Sequence, residues 1–113
     1  MKKRLSVISL LLAMMFTISA QAVQPRASII PGLTFTGTTA NCSVTIISNL
    51  DQIYVELSLW NGSTKVDSWE ASGTTYVSIK ETCPVVDGQT YTLKVNGSIN
   101  DVAFDEESVT RTC

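Results

Sequence analysis

Apolar and polar residues alternate with a period of two along most of this chain after residue 27, and no window has the 3.6-residue spacing of an amphipathic helix. The cleanest alternation covers residues 52–60. Its two faces are Ile53, Val55, Leu57 and Leu59 on one side and Tyr54, Glu56, Ser58 and Trp60 on the other. Because successive side chains of a strand point to opposite faces, this pattern predicts strands with one buried face.

Turn signals every 8 to 12 residues separate these segments, as is typical of a sandwich of short strands. The predicted strands cover residues 33–36, 42–47, 52–60, a segment containing Val66 and Trp69, 75–80, 90–99 and a last segment through Val109. Cys42, Val44 and Ile46 share one face of the second, and Tyr91, Leu93, Val95, Gly97 and Ile99 share one face of the sixth. The sequence therefore predicts an all-β, antiparallel β-sandwich of about seven strands.

Two hairpins have a predicted register. A type I′ turn at Asn61-Gly62 would place Leu57 opposite Val66 and Tyr54 opposite Trp69. A turn at Asn100-Asp101 would pair Ile99 with Val102 and lay Phe104 over Gly97. The alternation of inward and outward residues then shifts by one position before Val109, which predicts a β-bulge near residues 105–107.

The first 22 residues have the features of a secretory signal peptide. Lys2, Lys3 and Arg4 precede an apolar run over residues 5–18, and small residues flank a cleavage position after Ala22. We expect a mature chain of residues 23–113 that forms a single domain and is secreted, freely released from the cell. No second apolar run is long enough to cross a bilayer.

Charge and composition narrow the possible partners. Loss of the signal removes three of the 8 basic residues and leaves five against 10 acidic ones, a net charge of −5. An acidic domain gives no electrostatic reason to bind nucleic acid or anionic lipid. The chain has no His, so a Ser or Cys nucleophile with an ordinary base and a His-bearing metal site are both excluded. We expect a monomer that is not an enzyme and holds no metal or cofactor.

Cys42, Cys83 and Cys113 are an odd number of cysteines for an exported chain, which indicates one disulfide and one free thiol. Closing about 70 residues or about 40 residues stabilises the chain by a similar amount, roughly 4 to 4.5 kcal/mol, so chain entropy does not choose the pair. A cysteine at the last position suggests a clamped terminal strand, which favours Cys42 with Cys113. Cys42 with Cys83 is the alternative.

Residues 86–95, VDGQTYTLKV, resemble the corner before the penultimate strand of immunoglobulin-like and fibronectin type III domains. In those folds a Tyr three residues after a turn Gly packs into the corner and bonds to nearby backbone. The resemblance implies that structural role for Gly88 and Tyr91, and an immunoglobulin-like sandwich. Leu93 stands where immunoglobulin domains have a Cys, so their intersheet disulfide is absent.

Most of the mature chain is also similar to a family of small secreted bacterial proteins known only as a domain of unknown function. The matching segments are QPRAS (24–28), FTGTTANC (35–42), LWNGST (59–64), Trp69, GQTY (88–91) and the closing TC (112–113). This resemblance implies a bacterial exported protein and supports Cys42 with Cys113, but it implies no activity.

Tyr54, Trp60 and Trp69 are the candidate contact residues, because the predicted register gathers them on the outward face of the central hairpin. Exposed aromatic side chains stack on sugars and act as hot spots in protein interfaces. The alternative is that they only stabilise the sheet. A further cluster, Asp101, Asp105, Glu106 and Glu107, matches no calcium loop, and we interpret it as a solvated bulge that discourages edge pairing.

The sequence thus predicts an extracellular binding module whose partner is a protein or a glycan. A secreted effector, such as a protease inhibitor or an antimicrobial protein, and a structural component of the envelope or matrix are the alternatives.

Overall fold

The computed structural model describes residues 27–113, which form six antiparallel strands and no helix. The strands are β1 (Ser28–Thr36), β2 (Thr39–Asn61), β3 (Thr64–Pro84), β4 (Thr90–Ile99), β5 (Val102–Ala103) and β6 (Glu107–Thr112). Within this range no helix is long and apolar enough to cross a membrane. The predicted signal peptide, its cleavage after Ala22 and the start of the mature chain lie outside the described residues.

The predicted all-β, antiparallel sandwich is confirmed, and its two layers are halves of one hydrogen-bonded sheet. β1, residues 39–48 of β2 and residues 75–84 of β3 form layer A. Residues 52–61 of β2, residues 64–74 of β3, and β4, β5 and β6 form layer B. The count differs from about seven because β2 and β3 each join two predicted strands into one that serves both layers, while the last predicted strand is divided into β5 and β6.

A bend at residues 49–51 of β2 divides the layers. Ser48 pairs with Thr75 and Gln52 pairs with Thr74, so three residues of β2 have no counterpart on β3. Because side chains alternate, this odd insertion changes the buried face of β2 from even-numbered to odd-numbered residues. The buried residues of β2 are Ala40, Cys42, Val44, Ile46 and Ser48 before the bend, and Ile53, Val55, Leu57 and Leu59 after it, where Ser58 on the outer face is also covered.

The buried faces of the two layers meet in a single core. Phe35 of β1 and Tyr91 of β4 belong to different layers, and their ring centroids lie 6.1 Å apart. The remaining core contributions are Leu33 of layer A, Val77, Ile79 and Cys83 of β3, Val85, and Leu93, Val95, Ile99 and Phe104 of layer B. The predicted inward residues of the second, third and sixth strands therefore face this core, although Gly97 is only partly buried.

Hydrogen bonds fix the bend to the turn between β4 and β5. The Asn100 side chain accepts from Gln52 N (2.9 Å) and donates from Nδ2 to Asp51 Oδ1 (2.8 Å). Ser48 Oγ donates to the other Asp51 oxygen (2.5 Å), and Leu50 N donates to Thr75 Oγ1 (3.1 Å). Leu50 and Thr75 have positive φ values of 65° and 72°, and bulky or β-branched residues rarely adopt positive φ.

The predicted register of the β2–β3 hairpin is wrong. The turn residues are Gly62 and Ser63, and the φ of 62° at Gly62 fits a type II′ turn. The ladder also has a β-bulge between the pairs formed by Leu59 and Trp60. Leu57 therefore lies opposite Trp69, and Tyr54 lies opposite Ser72. The later turn and the bulge together shift the pairing by an odd number of residues, which turns the side chains of β3 to the other face.

The β4–β5 turn has the predicted register. Asn100 and Asp101 adopt φ values of 51° and 65°, and Ile99 pairs with Val102. Phe104 N donates to Gly97 O (3.1 Å), and the Phe104 ring lies over Gly97. The ladder then shifts by one residue before β6, which confirms the predicted irregularity near residues 105–107.

Gly97 is required by a close approach of two strands. It has φ 158°, and a Cβ atom there would collide with the carbonyl oxygen of Tyr54. We expect Gly97→Ala to lower the free energy of unfolding by about 2 to 3 kcal/mol, measured by urea denaturation. Gly62→Ala is the matched control, because its Cβ meets no atom within 4 Å and only the cost of positive φ remains, about 1 kcal/mol. Equal losses for the two variants would contradict the proposed collision.

The hydrogen bonds of the Asn100 side chain at the bend predict a second effect on stability. Asn100→Ala removes both side-chain bonds and places Ala in the left-handed region, so we expect a loss of about 2 to 3 kcal/mol in urea denaturation. Asn100→Gly keeps the positive φ and isolates the loss of the bonds, about 1 to 2 kcal/mol. Asn96→Ala, which removes one exposed bond to Glu106, is the control and should cost at most about 0.5 kcal/mol. A cost as small for Asn100→Gly would show that the bend does not depend on these bonds.

Candidate functional site

The structure does not bring the three predicted contact residues together. Trp69 lies on the inner face of layer B, opposite Leu57, and packs half-buried against the core. Tyr54 and Trp60 lie on the outer face of β2 but six residues apart, about 20 Å along a strand. The predicted aromatic cluster was wrong because it depended on the β2–β3 register.

Trp60 is held by the side chains around it. Its Nε1 donates to Ser58 Oγ (2.9 Å), and the Lys94 and Lys65 ammonium groups lie 4.5 Å and 5.6 Å from the ring centroid. Both ammonium groups make cation–π interactions with the Trp60 indole and so take up its aromatic surface. Trp60 is therefore half-buried under lysines and offers little free aromatic surface.

Tyr54 offers the more accessible ring, with 40% of its surface exposed. Its hydroxyl donates to Glu70 Oε1 (2.8 Å), which fixes the orientation of the ring. That hydrogen bond, with smaller effects from burial and from the charges of Glu70 and Glu56, raises the pKa of Tyr54 above its ordinary value of 10.0.

A groove of about 310 Å³ runs beside Tyr54 on the outer face of layer B. We call it the Tyr54 groove, and its lining residues are Gln52, Ile53, Tyr54, Ser72, Gly73, Thr74, Ser98 and Asp101. It exists because Tyr54 pairs with Ser72 on one side and Ser98 on the other, so small side chains surround a large one. The groove ends at the bend and at the Asn100-Asp101 turn.

The polar side chains of the Tyr54 groove differ from two pairs of threonines elsewhere on the same face. In the described part of the chain, the side chains of Gln52, Ser72, Thr74, Ser98 and Asp101 have no hydrogen-bond partner within the protein. Farther along the face, Thr90 pairs with Thr112 (2.9 Å) and Thr92 pairs with Thr110 (3.0 Å). The groove thus concentrates donors and acceptors that are free to meet a ligand.

Asp101 is the member of the groove that sequence reasoning assigned elsewhere, to an acidic bulge. The turn at Asn100-Asp101 was predicted, but a predicted turn does not say which strands its second residue will face. The Asn100 bonds to Asp51 and Gln52 hold the turn against the start of the layer B part of β2. This contact across the bend brings Asp101 into the groove lining together with Gln52 and Thr74.

A larger depression of about 500 Å³ lies on the outer face of layer A, lined by Gly32, Thr34, Asn41, Cys42, Ser43, Lys80, Glu81 and Thr82. No aromatic side chain lines it. Two of its polar groups are already bonded within the protein, since Asn41 donates to Thr36 Oγ1 (3.1 Å) and Ser43 Oγ donates to Gly32 O (3.4 Å). It is the weaker candidate for a site.

The predicted disulfide is absent, since Cys42, Cys83 and Cys113 are all free thiols. Cys113 Sγ lies 3.5 Å from Gly37 O at the β1–β2 turn, whereas Cys42 lies three ladder positions beyond that turn, about 10 Å along the strand. Cys42 and Cys83 are diagonal neighbours across β2 and β3, a relation with Cβ atoms about 7 Å apart, compared with about 4 Å in a disulfide. Neither predicted pairing has disulfide geometry.

Backbone hydrogen bonds hold the terminal strand instead. Gly88 N donates to Cys113 O (3.0 Å), and Cys113 N donates to Gln89 O (2.9 Å). At the same corner the Tyr91 hydroxyl, buried with its ring, accepts from Val86 N (2.8 Å), and Gly88 adopts φ 87°. Through these contacts Gly88 and Tyr91 have a structural role at this corner, which lies away from the Tyr54 groove.

The acidic residues of the last hairpin are dispersed. Glu106 accepts from Asn96 Nδ2 (3.2 Å), and Asp101 lies in the Tyr54 groove. Over residues 27–113 no group of three or more His, Cys, Asp or Glu side chains could hold a metal ion.

Comparison with known proteins finds similarity among solved structures. No protein-family model matches the chain, so the family resemblance inferred from its segments stays a prediction. No curated protein matches either. Among solved structures, the chain is similar to the sensor domain of the anti-sigma factor RsgI4 in Pseudobacteroides cellulosolvens, with 19% identity and a TM-score of 0.47. That similarity covers 77% of this chain and 88% of the other.

The thiols should differ in reactivity in the native state. Burial, with smaller effects from Cys83 and Asp67, raises the pKa of Cys42 to about 11, and burial also raises that of Cys83. Because the thiolate is the reactive form, we expect iodoacetamide at pH 8 to modify half-exposed Cys113 first, while Cys42 and Cys83 react only on unfolding.

Intact mass and peptide mapping measure this order. In guanidinium without reductant, all three cysteines should be alkylated. Modification of only one would show that a disulfide is present and contradict the free-thiol geometry.

Proposed function

We propose that the mature chain is a non-enzymatic extracellular binding module that contacts a protein or glycan through the outer face of layer B. The Tyr54 groove is the observation that carries this proposal. An exposed tyrosine of fixed orientation stands beside five polar side chains that have no partner among the described residues. Surfaces of this composition, one aromatic ring with adaptable polar groups, are typical of recognition sites.

The rigidity of the face supports recognition over catalysis. The groove is built on strands and a tight turn, so its side chains are positioned before a partner arrives, which lowers the entropic cost of binding. The chain lacks His, and the groove has one carboxylate, Asp101, without a second beside it in the lining. Acid–base catalysis by two residues, or activation of a nucleophile by a base, needs at least two reactive side chains within reach of each other.

A secreted effector of the inhibitor type is less well supported. Such inhibitors present a rigid protruding loop to their target, whereas the β1–β2, β2–β3 and β4–β5 hairpins each end in a two-residue turn. A structural role in an envelope or matrix is favoured by one observation. Ile30, Ile47 and Tyr76 are 58%, 44% and 57% exposed on the outer face of layer A, an apolar patch suited to self-association.

Substitutions of two tyrosines, one on the outer face of each layer, distinguish the binding module from the structural role. The labelled mature protein should bind saturably to at least one member of a combined glycan and extracellular-protein array. We expect Tyr54→Ala to weaken that binding at least about tenfold, because it removes the exposed ring of the groove. Tyr76→Ala is the matched control, since it removes an exposed tyrosine from the other layer and should leave binding unchanged.

Analytical ultracentrifugation completes the test. A concentration-dependent assembly that Tyr76→Ala disrupts, without array binding by the wild type, would contradict the binding module and support the structural role. Equal losses for both variants would show that the outer face of layer B is not the contact surface.

A further inference from the structure

The geometry points to an uncharged carbohydrate as the ligand of the Tyr54 groove. This inference rests on the proposed function and adds the chemical class that the groove recognises. It follows from three features taken in turn: the hydrogen-bonding capacity of the lining, the aromatic ring and the local charge.

The lining has the mixed donor and acceptor character that sugar hydroxyls require. Ser72, Thr74 and Ser98 each both donate and accept, and the Gln52 carboxamide does the same with separate atoms. Asp101 supplies two oxygens that only accept, and a charged acceptor makes the stronger bonds with hydroxyl donors. A peptide that binds by adding a strand would need a free strand edge, but β2 at the groove is paired on both sides, with β3 and β4.

The Tyr54 ring provides the apolar half of a sugar site. One face of a pyranose ring carries mainly C–H groups, which pack on an aromatic ring while the hydroxyls point outward toward polar groups. The bond from the Tyr54 hydroxyl to Glu70 holds the ring in place, so little rotamer entropy is lost on stacking. Tyr54 thus lies next to the polar lining in the arrangement that such a ligand needs.

Local charge selects against anionic sugars. Glu70 bonds Tyr54, Glu56 follows it on the same face of β2, and Asp101 closes the groove. The cations of this face in the described part of the chain, Lys94 and Lys65, pair with Ser58 and Trp60, about 14 Å and about 20 Å from Tyr54 along the strand. Both distances exceed the screening length of about 8 Å at physiological salt. Sulfated sugars and uronic acids would therefore meet carboxylates without a compensating cation.

The groove size limits how much of a glycan is held. A volume of about 310 Å³ is at the lower end of small-molecule sites, enough for about one or two sugar rings. The groove is open on the outer face, so the ligand can be an internal or terminal part of a longer chain. We therefore expect a single weak site.

The experiment compares immobilised uncharged oligosaccharides of glucose, galactose, mannose and N-acetylglucosamine with their sulfated and uronic-acid counterparts. The mature protein should bind one or more uncharged members, and the anionic counterpart of that member should bind at least about tenfold more weakly. Asp101→Asn keeps a residue that tolerates the turn but loses the charged acceptor, and it should weaken binding about tenfold and reduce the discrimination against the anionic sugar.

Asp105→Asn is the matched control, because it makes the same change of charge at an exposed residue outside the Tyr54 groove, and it should bind as the wild type does. Gln52→Ala is the second variant, because it removes the carboxamide but keeps the backbone bonds of residue 52 with Asn100, and it should also lose affinity. Thermal unfolding of each variant identifies any loss that comes from misfolding.

The outcomes separate this inference from the proposed function. Binding only to proteins of the combined array, sensitive to Tyr54→Ala, would overturn the carbohydrate ligand and leave the binding module standing. Preferential binding to anionic sugars, or equal losses for Asp101→Asn and Asp105→Asn, would also overturn it. No saturable binding to any sugar or protein would overturn both.

Discussion

The bend in β2 is the constraint on which the rest of the molecule depends. A single long hairpin supplies strands to both layers, and it does so only because residues 49–51 change which face of β2 is buried. Without that odd insertion, the apolar residues of one half of the strand would face solvent. The bend requires two residues at positive φ, Leu50 and Thr75, and the hydrogen bonds of Ser48 and Asn100 to Asp51 hold it.

The same bonds connect the fold to the candidate site. Asn100 is part of the β4–β5 turn, so its contacts with the bend also place Asp101 at the end of the Tyr54 groove. The close packing of Gly97 against the Tyr54 carbonyl brings β4 against β2 at the same level. Stability and recognition are therefore coupled at this end of layer B, where variants of Asn100 would affect both.

In the described residues, neither the predicted disulfide nor the predicted cluster of aromatic contact residues forms, and other interactions take their place. Backbone bonds of Cys113 with Gly88 and Gln89 hold the last strand, and the thiols stay separate. Trp69 packs against the core, and Trp60 is covered by two lysines. Exposed aromatic surface on layer B is concentrated in Tyr54, which gives the groove its apolar component.

Local patterns in the sequence determined the class of fold, the inward residues of most strands and the β4–β5 turn with Phe104 over Gly97. These features depend on side-chain alternation and on residues within one turn of each other. The register of β2 with β3 was decided only in the tertiary structure, because a one-residue change in the turn and a bulge are nearly invisible in the sequence and an odd shift reverses a whole face. The position of Asp101 beside Tyr54 depends on a contact across 49 residues, from Asp51 to Asn100, which no local pattern contains.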